Sequence, residues 1–171
     1  CMCALADIDL ISINRVEAEA LMPGLAINAD GKTVDRLPED APDLLRRGLD
    51  GSGFAMTLEG FCAALSALGP RYVAVTDGTD GAYLWADGAL YYCPPFHVAP
   101  AGTAGAGDAF TATLAAKLVA GEKPDAALAA ASANAASVVR HVDTQTGLLD
   151  HAALERLIAT APADFKPRRL L

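Results

Sequence analysis

The order of its segments predicts an α/β chain: β-rich runs alternate with amphipathic or alanine-rich runs, and a strand–turn–strand unit is inserted among them. Two runs carry the prediction, IDLISI at 8–13 and RYVAVT at 71–76, both apolar and β-branched enough to lie buried in a sheet. The third observation is AYLWADGALYYC at 82–93, which reads as a hairpin turning at Asp87-Gly88. Helices are expected to cover a mainly parallel sheet. A chain of 171 residues suffices for one domain with a sizeable core and is short for two, so 1–171 is read as a single α/β portion.

The first strand ends at Asn14, and RVEAEAL after it favours helix. From Pro23 to Gly53 prolines, glycines and aspartates break the pattern, so about 23–53 reads as a loop-rich excursion with a short helix near Asp43–Arg47. Phe54, Leu58, Phe61, Leu65 and Leu68 then restore the spacing of one helical face, which Gly69-Pro70 stops. The 71–76 strand leads through DGTDG, where Asp77 and Asp80 are expected to serve the turn, into the hairpin. Phe110, Leu114 and Leu118 recur at four-residue intervals, placing a helix from near Gly105–Gly107 to before Gly121. Pro124 suits the first turn of the next helix, which runs to about Val139. A last helix starts near Asp150 with Leu154, Leu157 and Ile158 inward, and the tail FKPRRLL has no identifiable partner. Small side chains at Ala112, Ala115, Ala116 and through 126–136 let helices approach each other and the sheet closely, and need no functional explanation.

Composition excludes some functions. A formal charge of −8 argues against a nucleic-acid or anionic-membrane surface. Neither a signal peptide nor an apolar run long enough to cross a membrane is found. Cys1, Cys3, Cys62 and Cys93 lack zinc-site spacing and read as thiols of a cytoplasmic protein. His97, His141 and His151 are scattered without metal spacing, and Cys93 has no histidine and acid partner in order. Tyr72, Tyr83, Trp85, Tyr91 and Tyr92 fall in strands and are expected to pack the sheet. Lys117 and Lys123 could neighbour a phosphate by charge alone and are given no role. The opening CMCALADIDL, which carries no initiating Met, suggests that an upstream part is missing.

The stretch GTAGAGDAF at 102–110 carries the chemistry. A helix start exposes N–H groups that no carbonyl within the helix accepts, and Gly105, Ala106 and Gly107 add no bulk that would keep an anion from them. Asp108 follows in the first turn, where it could accept a hydroxyl proton beside a phosphoryl group held by those amides. The same residues also suit a plain glycine loop whose aspartate favours the helix dipole. It is not a Walker A loop, since no Lys-Ser/Thr follows.

GTAGAGDAF resembles the C-terminal signature of the ribokinase-like (PfkB-type) carbohydrate kinases. Three further pieces occur in that family's order. Asn14-Arg-Val-Glu17 resembles its Asn-x-x-Glu motif, Val75-Thr-Asp-Gly78-Thr-Asp-Gly81 its Val-Thr-x-Gly-x-x-Gly nucleotide loop, and Ala133-Asn134-Ala135-Ala136 its adenine-site helix. The resemblance implies the C-terminal portion of a three-layer α/β/α sandwich that phosphorylates a sugar or sugar-like alcohol with ATP and Mg2+. It implies Asp108 as base, the Gly105, Ala106 and Gly107 amides as anion hole, and Asn14 with Glu17 organising magnesium largely through water. Thr76, Gly78 and Gly81 then match the nucleotide loop, and Asn134 lines the adenine pocket.

Two departures follow. The family carries Asp-Thr-Thr where this chain has Gly102-Thr103-Ala104, and the aspartate of that triplet takes part in a monovalent-cation site, so potassium activation is in doubt. The family's N-terminal half, with its β-lid and Gly-Gly sugar motif, has no counterpart here. An exposed sheet edge is therefore expected, to be met by a missing N-terminal portion or by self-association as a homodimer. The alternative function is a nucleotide-binding or structural fragment without turnover.

Overall fold

The computed structural model describes residues 2–25, 37 and 40–171. They fall into two units, the first running to Asp80 and including Leu84–Leu90, the second holding Gly81–Tyr83 and Tyr91–Leu171.

In the first unit β1 (Leu10–Asn14) leads directly into α1 (Arg15–Leu25). A short α2 (Asp43–Arg47), the strands β2 (Leu49–Gly51) and β3 (Phe54–Met56), and α3 (Leu58–Ser66) follow, before β4 (Tyr72–Thr76). β1 and β4 pair in parallel, from Leu10 opposite Tyr72 to Asn14 opposite Thr76. α1 buries Ala18, Met22 and Leu25, and α3 buries Leu58, Phe61, Cys62 and Leu65, each a stripe of helical period. Thr57 caps α3 by accepting from the Gly60 N–H at 3.0 Å. Leu44, Leu49, Val73, Ala74 and Val75 complete this unit's core.

The hairpin strands β5 (Ala82–Ala86) and β6 (Ala89–Cys93) are divided between the units. Strand order is β1-β4-β5-β6, continued beyond β6 by a seventh strand, β7 (Arg168–Arg169). Asp87 and Gly88 both hold positive φ, 49° and 78°, as a two-residue hairpin turn of this kind requires. In the second unit β7 pairs antiparallel with β6, Arg169 opposite Tyr91. Three helices precede β7: α4 (Ala106–Val119), α5 (Pro124–Val138) and α6 (His151–Ala159). α5 buries most of its alanines, and α6 is capped by Asp150, which accepts from the Ala153 N–H at 2.7 Å.

Several expectations need correction. The strand pairing is mixed rather than mainly parallel: β1 pairs with β4 in parallel, whereas β6 pairs with β7 antiparallel. α1 continues through Pro23 to Leu25; a proline in the last turn removes one hydrogen bond, while Met22 and Leu25 on either side are buried. Phe54 does not open α3. It lies in β3, just past the expected excursion, and pairs with β2 at the end of that excursion, much of whose earlier part (26–36, 38 and 39) lies outside the described residues. The tail does find a partner, in β6. On α4, Ala112 and Ala116 are exposed rather than packed, and Leu118 is only half-buried while Lys117 beside it is buried. The strand aromatics pack as expected, with the Tyr83 and Tyr92 rings 5.1 Å apart.

Candidate active site

The first group of candidate residues stands at the carboxyl ends of β1 and β4, where open α/β sheets bind ligands. Asn14 and Thr76 are direct register partners, so the two motifs leave adjacent strands at one level. Asn14 and Glu17 form a reciprocal capping box at the start of α1. The Asn14 side-chain oxygen accepts from the Glu17 N–H at 3.0 Å, and Glu17 Oε2 accepts from the Asn14 N–H at 2.8 Å. Both residues are exposed, and Glu17 Oε1 has no hydrogen bond among the described residues.

Thr76 passes the chain into a turn at Gly78–Asp80, closed by the Asp80 N–H donating to the Asp77 carbonyl at 2.9 Å. Asp77 is buried and salt-bridged. Arg15 Nε donates to its Oδ1 at 2.7 Å, and Arg47 approaches its Oδ2 at 3.5 Å. Arg15 also grips both carboxylate oxygens of Glu19, at 3.0 and 3.1 Å. These acceptors raise the already high Arg15 pKa, the Glu19 hydrogen bond most. Sequence reasoning gave Asp77 only a local duty and passed over Arg15 and Arg47. The available signal was the i,i+4 spacing of Arg15 and Glu19 within the Asn14 motif.

The second unit holds the other candidates. Gly105 precedes α4 in the left-handed region at φ 80°, and no side chain caps the helix. The N–H groups of Gly105, Gly107 and Asp108 donate to no backbone carbonyl among the described residues, and that of Ala106 makes only a 3.5 Å contact with Thr103 O. A Cβ placed on Gly107 would meet nothing within 4 Å, so this helix start is open. Asp108 is exposed, with no hydrogen bond or ion pair among the described residues. Behind Gly105 stands Thr144, in a turn where Asp143 accepts from the N–H groups of Gln145 and Thr146 at 2.9 and 2.7 Å.

Gly81 closes its turn at φ 104°, packed against the Cys93 carbonyl. Asn134 is buried and internally satisfied: its Nδ2 donates to Thr113 Oγ1 at 2.8 Å, and its Oδ1 accepts from the Leu149 N–H at 3.1 Å. Cys93 is fully buried and burial pushes its thiol up to about 12, which removes it as a nucleophile. Lys117 is held by Glu122 at 2.8 Å and Glu155 at 3.2 Å; nine residues along α4 from Asp108, it lies about 14 Å away at 1.5 Å per residue. Among the described residues no group of three or more His, Cys, Asp or Glu side chains could hold a metal by itself.

Residues 1–151 match the sequence model of the pfkB family carbohydrate kinases. The chain belongs to that family. Its fold is that of solved relatives. Ribokinase from Thermotoga maritima superposes with a TM-score of 0.68 at 22% identity, over 91% of this chain and 44% of that one. A putative sugar kinase from Clostridium perfringens gives 0.66 at 17% identity, over 98% and 44%. Arabidopsis thaliana ribokinase, complexed with ribose and ATP, gives 0.63 at 23% identity, over 90% and 42%. This pfkB-family chain thus spans less than half the length of these structures. No curated protein sequence matches it. No described helix is long and apolar enough to cross a membrane.

Proposed function

We propose that this chain serves the ATP-dependent phosphorylation of a hydroxyl on a sugar or sugar-like substrate, with Asp108 as the base. The observation that carries this reading is the start of α4, where uncommitted backbone amides adjoin an exposed and unpaired carboxylate. Phosphoryl transfer asks little covalent chemistry of a protein; it asks for placement and for donors aimed at developing charge. In this reading the Gly105, Ala106 and Gly107 amides receive the phosphoryl oxygens, and Asp108 accepts the proton of the attacking hydroxyl.

Thr76, Gly78 and Gly81 are assigned to the nucleotide. Asn134 is assigned to the adenine pocket as a residue that shapes it, since its oxygen and one of its N–H groups already hold Leu149 and Thr113. Magnesium, when bound, would neutralise charge on the phosphates. Magnesium keeps several waters and takes one or two carboxylates, and an exposed Glu17 with a free Oε1 fits such water-mediated holding. Potassium activation is not expected. Position 102 supplies no carboxylate, and a Cβ there would stand 3.1 Å from the His141 carbonyl oxygen, a tight contact for any side chain at that position; turnover equal in sodium and potassium buffers is the expected result.

We read residues 1–171 as one ribokinase-like portion corresponding to the C-terminal part of its relatives, consistent with the 44% coverage of their length. β1 ends the strand order, which suits a further strand or a second copy on its outer edge. Calorimetric titration of the full-length protein with Mg-ATP, followed by a kinase assay over a panel of sugars, tests the function. Nucleotide binding with phosphorylation of at least one sugar supports it. Binding with no phosphorylation of any sugar favours the non-catalytic alternative.

A further inference from the structure

The ion pairs around Asp77 join pieces of chain that local sequence does not connect. Arg15 sits between Asn14 and Glu17 in the first turn of α1, and Asp77 sits between Thr76 and Gly78, 62 residues away. Arg47 comes from α2, 30 residues before Asp77. Ordinary surface salt bridges contribute little, because both partners are solvated and mobile. This one differs in three respects. The Asp77 side chain is only 7% exposed, so its charge depends on the partners it has. Its two oxygens are addressed by two different arginines. The Arg15 guanidinium is held from the other side by Glu19, so little side-chain freedom remains to be lost. Gly78 follows at φ 56°, with nothing within 4 Å of a Cβ placed on it, so that position adds no packing contact to the turn.

We propose that Arg15 is a positioning residue for nucleotide binding: by holding Asp77, with Arg47 as a second hold, it fixes the Thr76–Gly78 turn against the Asn14–Glu17 turn. The proposal rests on the assignment of Thr76 and Gly78 to the nucleotide made above. Arg15 touches no phosphate in this scheme. It acts through Asp77, and its loss lets the turn drift out of the geometry that binds ATP.

The test uses the full-length protein and the variants Arg15→Gln, Arg15→Lys, Asp77→Asn and the double variant R15Q/D77N. Arg15→Gln leaves Asp77 paired with Arg47, so it keeps the test alive if Asp77→Asn fails to fold, and melting by circular dichroism reports folding. Titration with Mg-ATP is expected to show Kd raised about tenfold in R15Q and in D77N, the scale of one lost charged hydrogen bond. The double variant should be no weaker than the worse single one. Lysine should recover part of the loss, since it can reach Asp77 or Glu19 but cannot fork between them. The rate at saturating ATP should stay within about twofold, because Arg15 makes no contact that exists only in the transition state. Hydrogen exchange without nucleotide should be faster at residues 77–80 in R15Q than in the wild type. A folded R15Q with wild-type Kd and unchanged exchange overturns the proposal while leaving the nucleotide assignment standing. A wild-type protein that binds no Mg-ATP overturns that assignment, and this inference with it.

Discussion

Replacing Gly105 by alanine combines two costs that the structure allows to be separated. Gly105 holds φ 80°, in the left-handed region, where an L-residue other than glycine costs roughly 1–2 kcal/mol. The added methyl would also lie 2.8 Å from Thr144 Cβ and 3.1 Å from its Cα and Cγ2. Carbon atoms rest about 3.5–4.0 Å apart, so the two groups must separate by at least about 0.7 Å. Thr144 is not free to retreat, because Asp143 ties the turn through Gln145 and Thr146. Overpacking of this kind costs about 1–3 kcal/mol, for a total near 2–5 kcal/mol. In a chain of this size that lowers Tm by roughly 4–20 °C, taking 2–4 °C per kcal/mol. Urea unfolding of Gly105→Ala, Thr144→Gly and the double variant resolves the two parts. The cycle should return a favourable coupling of about 1 kcal/mol or more, which is the relieved clash, while the backbone cost persists. A loss below about 0.5 kcal/mol in G105A, or no coupling at all, refutes the reasoning.

Asn134→Ala removes both ends of a buried link and should cost about 2–4 kcal/mol, with Thr113→Val losing roughly half as much, as measured by chemical denaturation. Asp143 gives a pH dependence with a definite sign. The amides of Thr146 and Gln145 and the Thr146 hydroxyl hold its carboxyl at about 2, against an ordinary 3.8. A depressed folded-state pKa contributes stability that is complete above the unfolded value and lost as pH falls from 3.8 through about 2. The advantage of wild type over Asp143→Asn should therefore narrow across that window, and carboxyl chemical shifts should place the Asp143 titration there.

What the sequence shows, and what it hides, follows from the range of the forces involved. The start of α4 is readable because Gly105-Ala-Gly-Asp108 combines small residues, uncapped amides and an acid within one turn. The hairpin is readable because Asp87-Gly88 states its own backbone conformation. β3 is hidden because an aromatic such as Phe54 suits a strand or a helical stripe equally, and pairing with β2 decides between them. β7 offers two arginines and no apolar alternation, so only its contact with β6 identifies it as a strand. Lys117 offers the sequence reader only its charge, and the partner that holds it, Glu155, comes from α6. The hold on Asp77 is the same kind of case, since Arg15 lies 62 residues before it. Motifs made of consecutive residues are visible in one dimension; ion pairs that join distant segments are not.

The most direct test of the account compares wild type with Asp108→Asn in the full-length protein, measuring sugar phosphorylation at saturating Mg-ATP alongside Mg-ATP binding. Loss of a general base at an otherwise intact site predicts turnover reduced about 10²–10⁴-fold, with nucleotide affinity essentially unchanged. Near-normal turnover in a folded D108N variant contradicts the assignment of Asp108, and with it the proposed mechanism.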